Sequence, residues 1–143
     1  MGQTNSGSGV FQYADESHKI SNRIKRVPCA NNRILAMTLF SDIGSILMIN
    51  TYFPNDTHSC THIDPELNDV CDEIERLIYG SKEQFVILSG DINIDLKRKN
   101  AHSQFVRDFM ERNKLLSIWQ HVTPPDYTYH GPTGRSCIDH FII

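Results

Sequence analysis

The run Gln84-Phe85-Val86-Ile87-Leu88 is apolar and too short for a helix, and it passes straight into Ser89-Gly90-Asp91-Ile92-Asn93-Ile94-Asp95. A short buried strand ends at turn chemistry, and this one gathers two carboxylates and an amide at a single point. Residues 45–52 form another apolar run, closed by Tyr52-Phe53-Pro54-Asn55, and residues 137–143 form a third that carries Asp139. A fold that satisfies all three sets short strands side by side with oxygen-bearing side chains where they finish. An acid inside an apolar strand needs a partner, and Arg135 or a lysine is the simplest one.

The remaining periodicities fill in that frame. Residues 33–40 and 45–52 are strands of a hairpin joined by Ser41-Asp42-Ile43-Gly44. Asp64-Pro65-Glu66 supplies an N-cap, a proline at the first helical position and an acid in the first turn, while Gly80 closes the segment. Between them Leu67, Val70, Cys71, Ile74, Leu77 and Ile78 share one helical face. A second helix is expected over 103–116, where Phe105, Val106, Phe109, Met110 and Leu116 recur. A final hairpin is expected between 127–130 and 137–143 through Gly131-Pro132-Thr133-Gly134, and Trp119, which follows Leu115-Leu116-Ser117-Ile118, reads as a core residue. Mostly antiparallel strands with two helices laid on them imply an α/β or α+β layered domain. The Gly, Ser, Asn and Thr of residues 1–9 read as a flexible tail, with one domain over 10–143.

Composition excludes several classes. The 143 residues, 39% hydrophobic and 22% charged, include no apolar run near the ~18 residues of a membrane helix. No basic-then-apolar leader opens the chain, so the expected location is intracellular, cytoplasmic or nuclear, rather than secreted, and the Asn55-Asp56-Thr57 sequon carries no meaning. Cys29, Cys60, Cys71 and Cys137 are too widely spaced for a C-x-x-C pair and read as reduced thiols. Met1-Gly2-Gln3-Thr4-Asn5-Ser6 fits the loose myristoylation pattern, but without a basic cluster one acyl chain anchors weakly. His58-Ser59-Cys60-Thr61-His62 lacks the spacing of zinc ligands. With a net charge of -3, any nucleic-acid surface must be a local patch. Lys97-Arg98-Lys99 and Arg23-Ile24-Lys25-Arg26 read first as solvated surface, with contact to a nucleic-acid backbone as the alternative.

The oxygen-rich strand ends suit a hard cation, Mg²⁺ or Mn²⁺, and through it a phosphate. Taken singly, each also fits a plainer reading: Gly90-Asp91-Ile92-Asn93 an ordinary Asx turn, Pro54 a strand-terminal turn. In order, however, Asn50-x-Tyr52-x-Pro54-Asn55, Gly90-Asp91-x-Asn93, Tyr127-Thr128-Tyr129 and Ser136-x-Ile138-Asp139-His140 resemble the endonuclease/exonuclease/phosphatase family, and most nearly the endonuclease domains of LINE-type retrotransposons.

That resemblance implies a four-layered β-sandwich with flanking helices, the deoxyribonuclease I-like fold, and metal-dependent hydrolysis of a phosphate ester. It assigns Asp91, Asn93, Tyr52 and Asp139 to catalysis. Asp91 orients or deprotonates the attacking water, Asn93 holds the phosphate, and Tyr52 contacts its oxygens. Asn55, Thr128 and Ser136 belong to substrate binding. Asp139 holds the ring of a catalytic histidine, which is not His140, because adjacent strand residues point to opposite faces. DNA is the implied substrate, and the retroelement parallel implies linkage to a reverse transcriptase.

The family also has an early Asn strand, a metal-binding Glu, and a closing Ser-Asp-His, none of which is found in these residues. The expectation is an incomplete domain whose metal rests on Asp91 alone, weakly, and whose activity is impaired or lost. Two other readings remain: a non-catalytic remnant or binding module of the same fold, and a phosphatase acting on inositol phosphates or a lipid headgroup.

Overall fold

Alternation of buried and half-buried side chains fixes the faces of a sheet. A computed structural model of the chain describes residues 21–55, 62–132 and 134–143. The expectations for the tail at 1–9, the domain start at Val10, Gly2, Cys60 and most of the 58–62 loop lie outside those residues. The described elements are β1 (Ile24–Val27), β2 (Ile34–Ser41), β3 (Gly44–Tyr52), α1 (Pro65–Gly80), β4 (Phe85–Asp91), α2 (Ala101–Arg112), β5 (Tyr129–Gly131), β6 (Gly134–Ser136) and β7 (Asp139–Ile142). Five of the strands make one sheet in the order β1-β2-β3-β4-β7, and β5 and β6 form a separate ribbon.

The β2–β3 hairpin closes where the sequence places it, with Ser41 opposite Gly44. Gly44 has φ 133, a backbone conformation open to glycine and costly for other residues. Helix α1 begins as expected, the Asp64 side chain accepting a 2.8 Å hydrogen bond from the Glu66 amide and Pro65 occupying the first turn. The pairing is mostly antiparallel as expected, with one exception: β3 and β4 run parallel, with Tyr52 level with Asp91. Parallel neighbours cannot be joined by a tight hairpin, and α1 is the crossover that joins them.

One sheet face is buried beneath the helices. Ala36 on β2, Leu47 and Ile49 on β3, Leu88 on β4 and Ile142 on β7 join Val70, Ile74 and Leu77 of α1 and Val106, Phe109 and Met110 of α2 in a single core. The opposite face, with Leu35, Met37, Leu39, Ile46, Met48 and Ile87, is half-buried. The described residues thus build a helix layer and one sheet of a layered α/β architecture. Glu73, buried on α1, accepts from the Ala30 amide at 2.7 Å and from Arg76 at 2.6 Å, tying the loop after β1 to the helix.

Three expected elements are redrawn. Helix α2 runs earlier than 103–116 because Asn100 caps it, its side chain accepting from the Ser103 amide at 2.8 Å, while Lys114, at φ 57, turns the chain back and buries Leu115. The last hairpin is not formed by 127–130 and 137–143. Its arms are β5 and β6, and β7 joins β4 instead, with Asp91 opposite Asp139 and Leu88 opposite Ile142. Burial of His140 and Ile142 is what draws that strand into the main sheet. Trp119 is half-buried in a short 3₁₀ turn and is not a member of the core. Among the described residues, no helix is long and apolar enough to cross a membrane.

The core assignment sets a graded expectation for stability. Phe109, at 1% exposure, fills the helix–sheet interface, whereas Phe85 is 48% exposed at the start of β4. Phe109→Ala should cost about 3–5 kcal/mol in chemical denaturation, and Phe85→Ala less than about 1 kcal/mol.

Candidate active site

Beyond β4 the chain continues its alternation. Ile92 and Ile94 are each 1% exposed and belong to the core, which turns Asp91, Asn93 and Asp95 to the other side. Those three side chains line a cavity of about 440 Å³, together with Tyr52, Asn55, Arg98, Tyr129 and Ser136. The backbone holds the crest in place: the Phe53 amide donates to the Asp91 carbonyl and the Ile92 amide to the Ile138 carbonyl, both at 2.9 Å. Gly90 has φ 131, and a Cβ there would run into the Thr51 carbonyl oxygen, so the close approach of β3 and β4 below Asp91 requires glycine.

The Asx turn expected of Gly-Asp-x-Asn is present, and it serves the site. Asp91 Oδ1 accepts from the Asn93 amide at 2.8 Å, and Asn93 adopts the left-handed φ of 50 that asparagine tolerates. Asn93 Nδ2 then donates to the Phe53 carbonyl at 2.8 Å, lashing the turn to the end of β3. This leaves Asp91 Oδ2 and Asn93 Oδ1 outside the turn. Asp95 bridges further: its Oδ1 accepts from the Lys97 amide at 3.0 Å and its Oδ2 from the Cys137 amide at 3.4 Å.

Register brings three chemistry-bearing residues level. Tyr52, Asp91 and Asp139 are paired in sequence across β3, β4 and β7. Burial raises the Asp91 pKa above the ordinary carboxylate range; the Asn93 amide works against the shift, and the charge of Asp139 adds to it. Tyr52 lies beneath the Arg33 guanidinium, 5.3 Å from its ring centre, and Arg33 is itself fixed by a 2.7 Å bond to Glu66.

Asp139 corrects an expectation. It is exposed at the first position of β7 rather than buried in need of an ion-pair partner, and Arg135 instead stacks over Tyr127 at 4.5 Å. His140, next to it, is buried on the helix side and its Nε2 donates to the Cys137 carbonyl at 3.1 Å, so the two side chains do face opposite ways. Burial lowers the His140 pKa, with its backbone hydrogen bonds opposing the shift.

Of the residues singled out in sequence, Tyr52, Asn55, Asp91, Asn93 and Ser136 share the main cavity. Thr128 and Asp139 line a neighbouring one of about 420 Å³, beside Trp119 and Asn50. The Thr128 hydroxyl accepts from the amides of Ile138 (2.9 Å) and Asp139 (3.0 Å), so it fixes the entry of β7. Asp95, Arg98 and Tyr129 stand in the oxygen-rich strand end, the basic run and the Tyr-Thr-Tyr motif without an assigned role, and all three line the cavity. The strict alternation of Asp91-Ile92-Asn93-Ile94-Asp95 was the signal for Asp95, whereas nothing local to Arg98 or Tyr129 announces the cavity. Among the described residues, no three His, Cys, Asp or Glu side chains gather to hold a metal ion, so the hard-oxygen donor suited to one is the Asp91 carboxylate with the asparagine amide beside it.

No family model matches the chain, and a search of curated proteins finds no match. Solved structures do match. The endonuclease domain of TRAS1, a telomere-specific non-LTR retrotransposon, superposes with a TM-score of 0.66 at 16% identity, over 83% of this chain and 52% of that one. The human Nocturnin catalytic domain gives 0.54 at 16% identity, over 85% and 48%, and the 3′-5′ exonuclease NExo from Neisseria meningitidis gives 0.54 at 15%, over 83% and 57%. The chain therefore has the deoxyribonuclease I-like fold of endonuclease/exonuclease/phosphatase proteins, and it spans about half the length of the structures it matches.

The raised Asp91 pKa has a measurable consequence. A carboxyl that holds its proton more tightly in the folded chain loses stability for the fold as pH rises from the ordinary value through the raised one, and above that the full penalty applies. Asp91→Asn keeps an oxygen for the Asn93 amide and removes the penalty. Its melting temperature at neutral pH should exceed the parent's, and the advantage should fade as pH falls through the carboxylate range.

Proposed function

We propose that this chain, carrying part of the endonuclease/exonuclease/phosphatase fold, hydrolyses phosphodiesters in the cavity formed by Asp91 and Asn93, with DNA as substrate and Mg²⁺ or Mn²⁺ as cofactor. The observation that supports this best is the level row of Tyr52, Asp91 and Asp139 beside the Asn93 turn. It gives one small volume a base, a phenol and amide groups, with the Asp139 carboxylate in the cavity beside it.

Asp91 orients the attacking water and takes its proton. Partial burial and the neighbouring Asp139 charge both favour proton uptake, which moves the group towards the affinity a base needs. The Tyr52 hydroxyl, the Asn55 amide and the one Nδ2 hydrogen of Asn93 not given to the Phe53 carbonyl donate hydrogen bonds to the phosphate oxygens on which charge develops. Ser136 and Tyr129 also line the cavity. A divalent cation against the Asp91 carboxylate would neutralise phosphate charge, and Mg²⁺ accepts one or two carboxylates with water and phosphate completing its shell. With that single carboxylate, affinity is low and hydrolysis by these residues alone is slow. The retroelement pattern of the motifs extends the proposal to a nuclease linked to a reverse transcriptase.

Plasmid nicking, read beside phosphate release from inositol phosphates, tests this in Mg²⁺ and in chelator. The chain should nick weakly or not at all alone, and measurably when fused to segments bearing a metal-binding Glu and a Ser-Asp-His. In that active form Asp91→Ala and Asn93→Ala should each lower the rate by about 10²-fold or more, and chelation should abolish it. Phosphate release without nicking would replace DNA as the substrate. Nicking indifferent to both substitutions would remove the chemistry from this cavity.

A further inference from the structure

The loop between the Asn93 turn and α2 carries three successive cations, Lys97, Arg98 and Lys99, in a chain whose net charge is -3. It is an ordered part of the fold. Arg107 of α2 clasps its backbone, Nη1 donating to the carbonyls of Leu96 (2.7 Å) and Arg98 (3.0 Å). From the same helix Ser103 Oγ donates to the Asp95 carbonyl at 2.9 Å, and the Asp95 carboxylate takes the Lys97 amide. The clasp sets the loop as a shared wall. Arg98 lines the 440 Å³ cavity that holds Asp91, and Lys97, Arg98, Lys99 and Arg107 line a second, open cavity of about 620 Å³ on its other side. Lys97 and Lys99 are exposed, and among the described residues no carboxylate is in ion-pair contact with either.

We infer that this loop is the strand-binding surface of the site: it engages the backbone phosphates that flank the one held at Asp91 and selects a nucleic-acid strand over an isolated phosphate ester. The inference rests on the phosphodiester reading of the adjoining cavity. An isolated phosphate is served within that cavity, whereas a row of cations continuing past its wall is matched by an anion that repeats along a backbone. Each such contact releases condensed counterions, so binding carries a salt dependence with a slope of about 0.9 per phosphate on duplex DNA. The other basic run, Lys25 and Arg26, lies on β1 at the far edge of the sheet and has no part in it.

The test is binding of a fluorescein-labelled DNA duplex by the 143-residue chain in chelator, titrated across salt concentrations. Lys97→Gln/Lys99→Gln should weaken binding at low salt about tenfold and reduce the slope of log affinity against log salt by about 1.8, two contacts' worth. Lys25→Gln/Arg26→Gln, the same change of charge on β1, should leave both within experimental scatter. Arg107→Lys, which keeps the charge but reaches less far towards the two carbonyls that Nη1 serves, should weaken binding about threefold. Equal losses from the two neutralised pairs would overturn the inference, since only net charge would then matter, as would binding indifferent to Lys97 and Lys99. Lysine-dependent binding without hydrolysis in any form of the chain would keep the surface and discard the catalytic reading. Hydrolysis of a small phosphodiester that depends on Asp91, with duplex binding indifferent to the lysines, would discard the surface alone.

Discussion

The parallel register of β3 with β4 is the constraint from which the rest follows. It sets Tyr52 level with Asp91, and a parallel pair demands a crossover long enough to return the chain to the same end of the sheet. Helix α1 is that crossover. Its apolar face then has only the sheet to bury against, which commits Ala36, Leu47, Ile49 and Leu88 to the core and their neighbours Met37, Met48, Asn50, Tyr52 and Asp91 to the other face. The polar crest is the edge of this division: the same alternation that buries Ile92 and Ile94 exposes Asp91, Asn93 and Asp95 to the cavity.

Position and reactivity are linked through that edge. Asp91 is half-buried because β3 and β7 flank it, and the burial that raises its proton affinity is thus a product of sheet order. Asn93 adopts a left-handed backbone and is held there by bonds to Asp91 and Phe53, so both sides of the turn are fixed by separate strands. The neighbouring Asp139 is positioned by its backbone, where the Thr128 hydroxyl captures two amides, rather than by a partner for its charge.

Much of this was legible in the sequence, and for physical reasons. Cap chemistry at Asp64 and Pro65, a two-residue turn ahead of Gly44 and the 3.6-residue spacing of α1 are local, and each was realised. The ordered motifs led to the fold that the solved structures share, and Tyr52, Asn55, Asp91, Asn93 and Ser136 do meet in one cavity. What failed was nonlocal. The partner of β7 is decided by whether His140 and Ile142 are buried, which no neighbouring residue encodes, and a turn-like Gly131-Pro132-Thr133-Gly134 suggested the wrong hairpin arm. Asp139 looked like a buried charge because its strand is apolar, yet it occupies the first, open position of that strand. Arg98 reaches the cavity on a loop that Arg107 and Ser103, both on a later helix, hold in place.

The level row of Tyr52, Asp91 and Asp139 also sets an order of events during biosynthesis. Its members come from three strands far apart in the chain, so the row forms only after two large loops have closed, and closure entropy makes such contacts late. Among the described strands β7 comes last in sequence, and Asp91 gains Asp139 as its neighbour only when that strand docks. A nascent chain that has paired β4 with β3 therefore holds Tyr52 and the Asn93 turn without Asp139. The electrostatic setting of Asp91 is therefore completed only after the strands that hold Tyr52 and the Asn93 turn are in place.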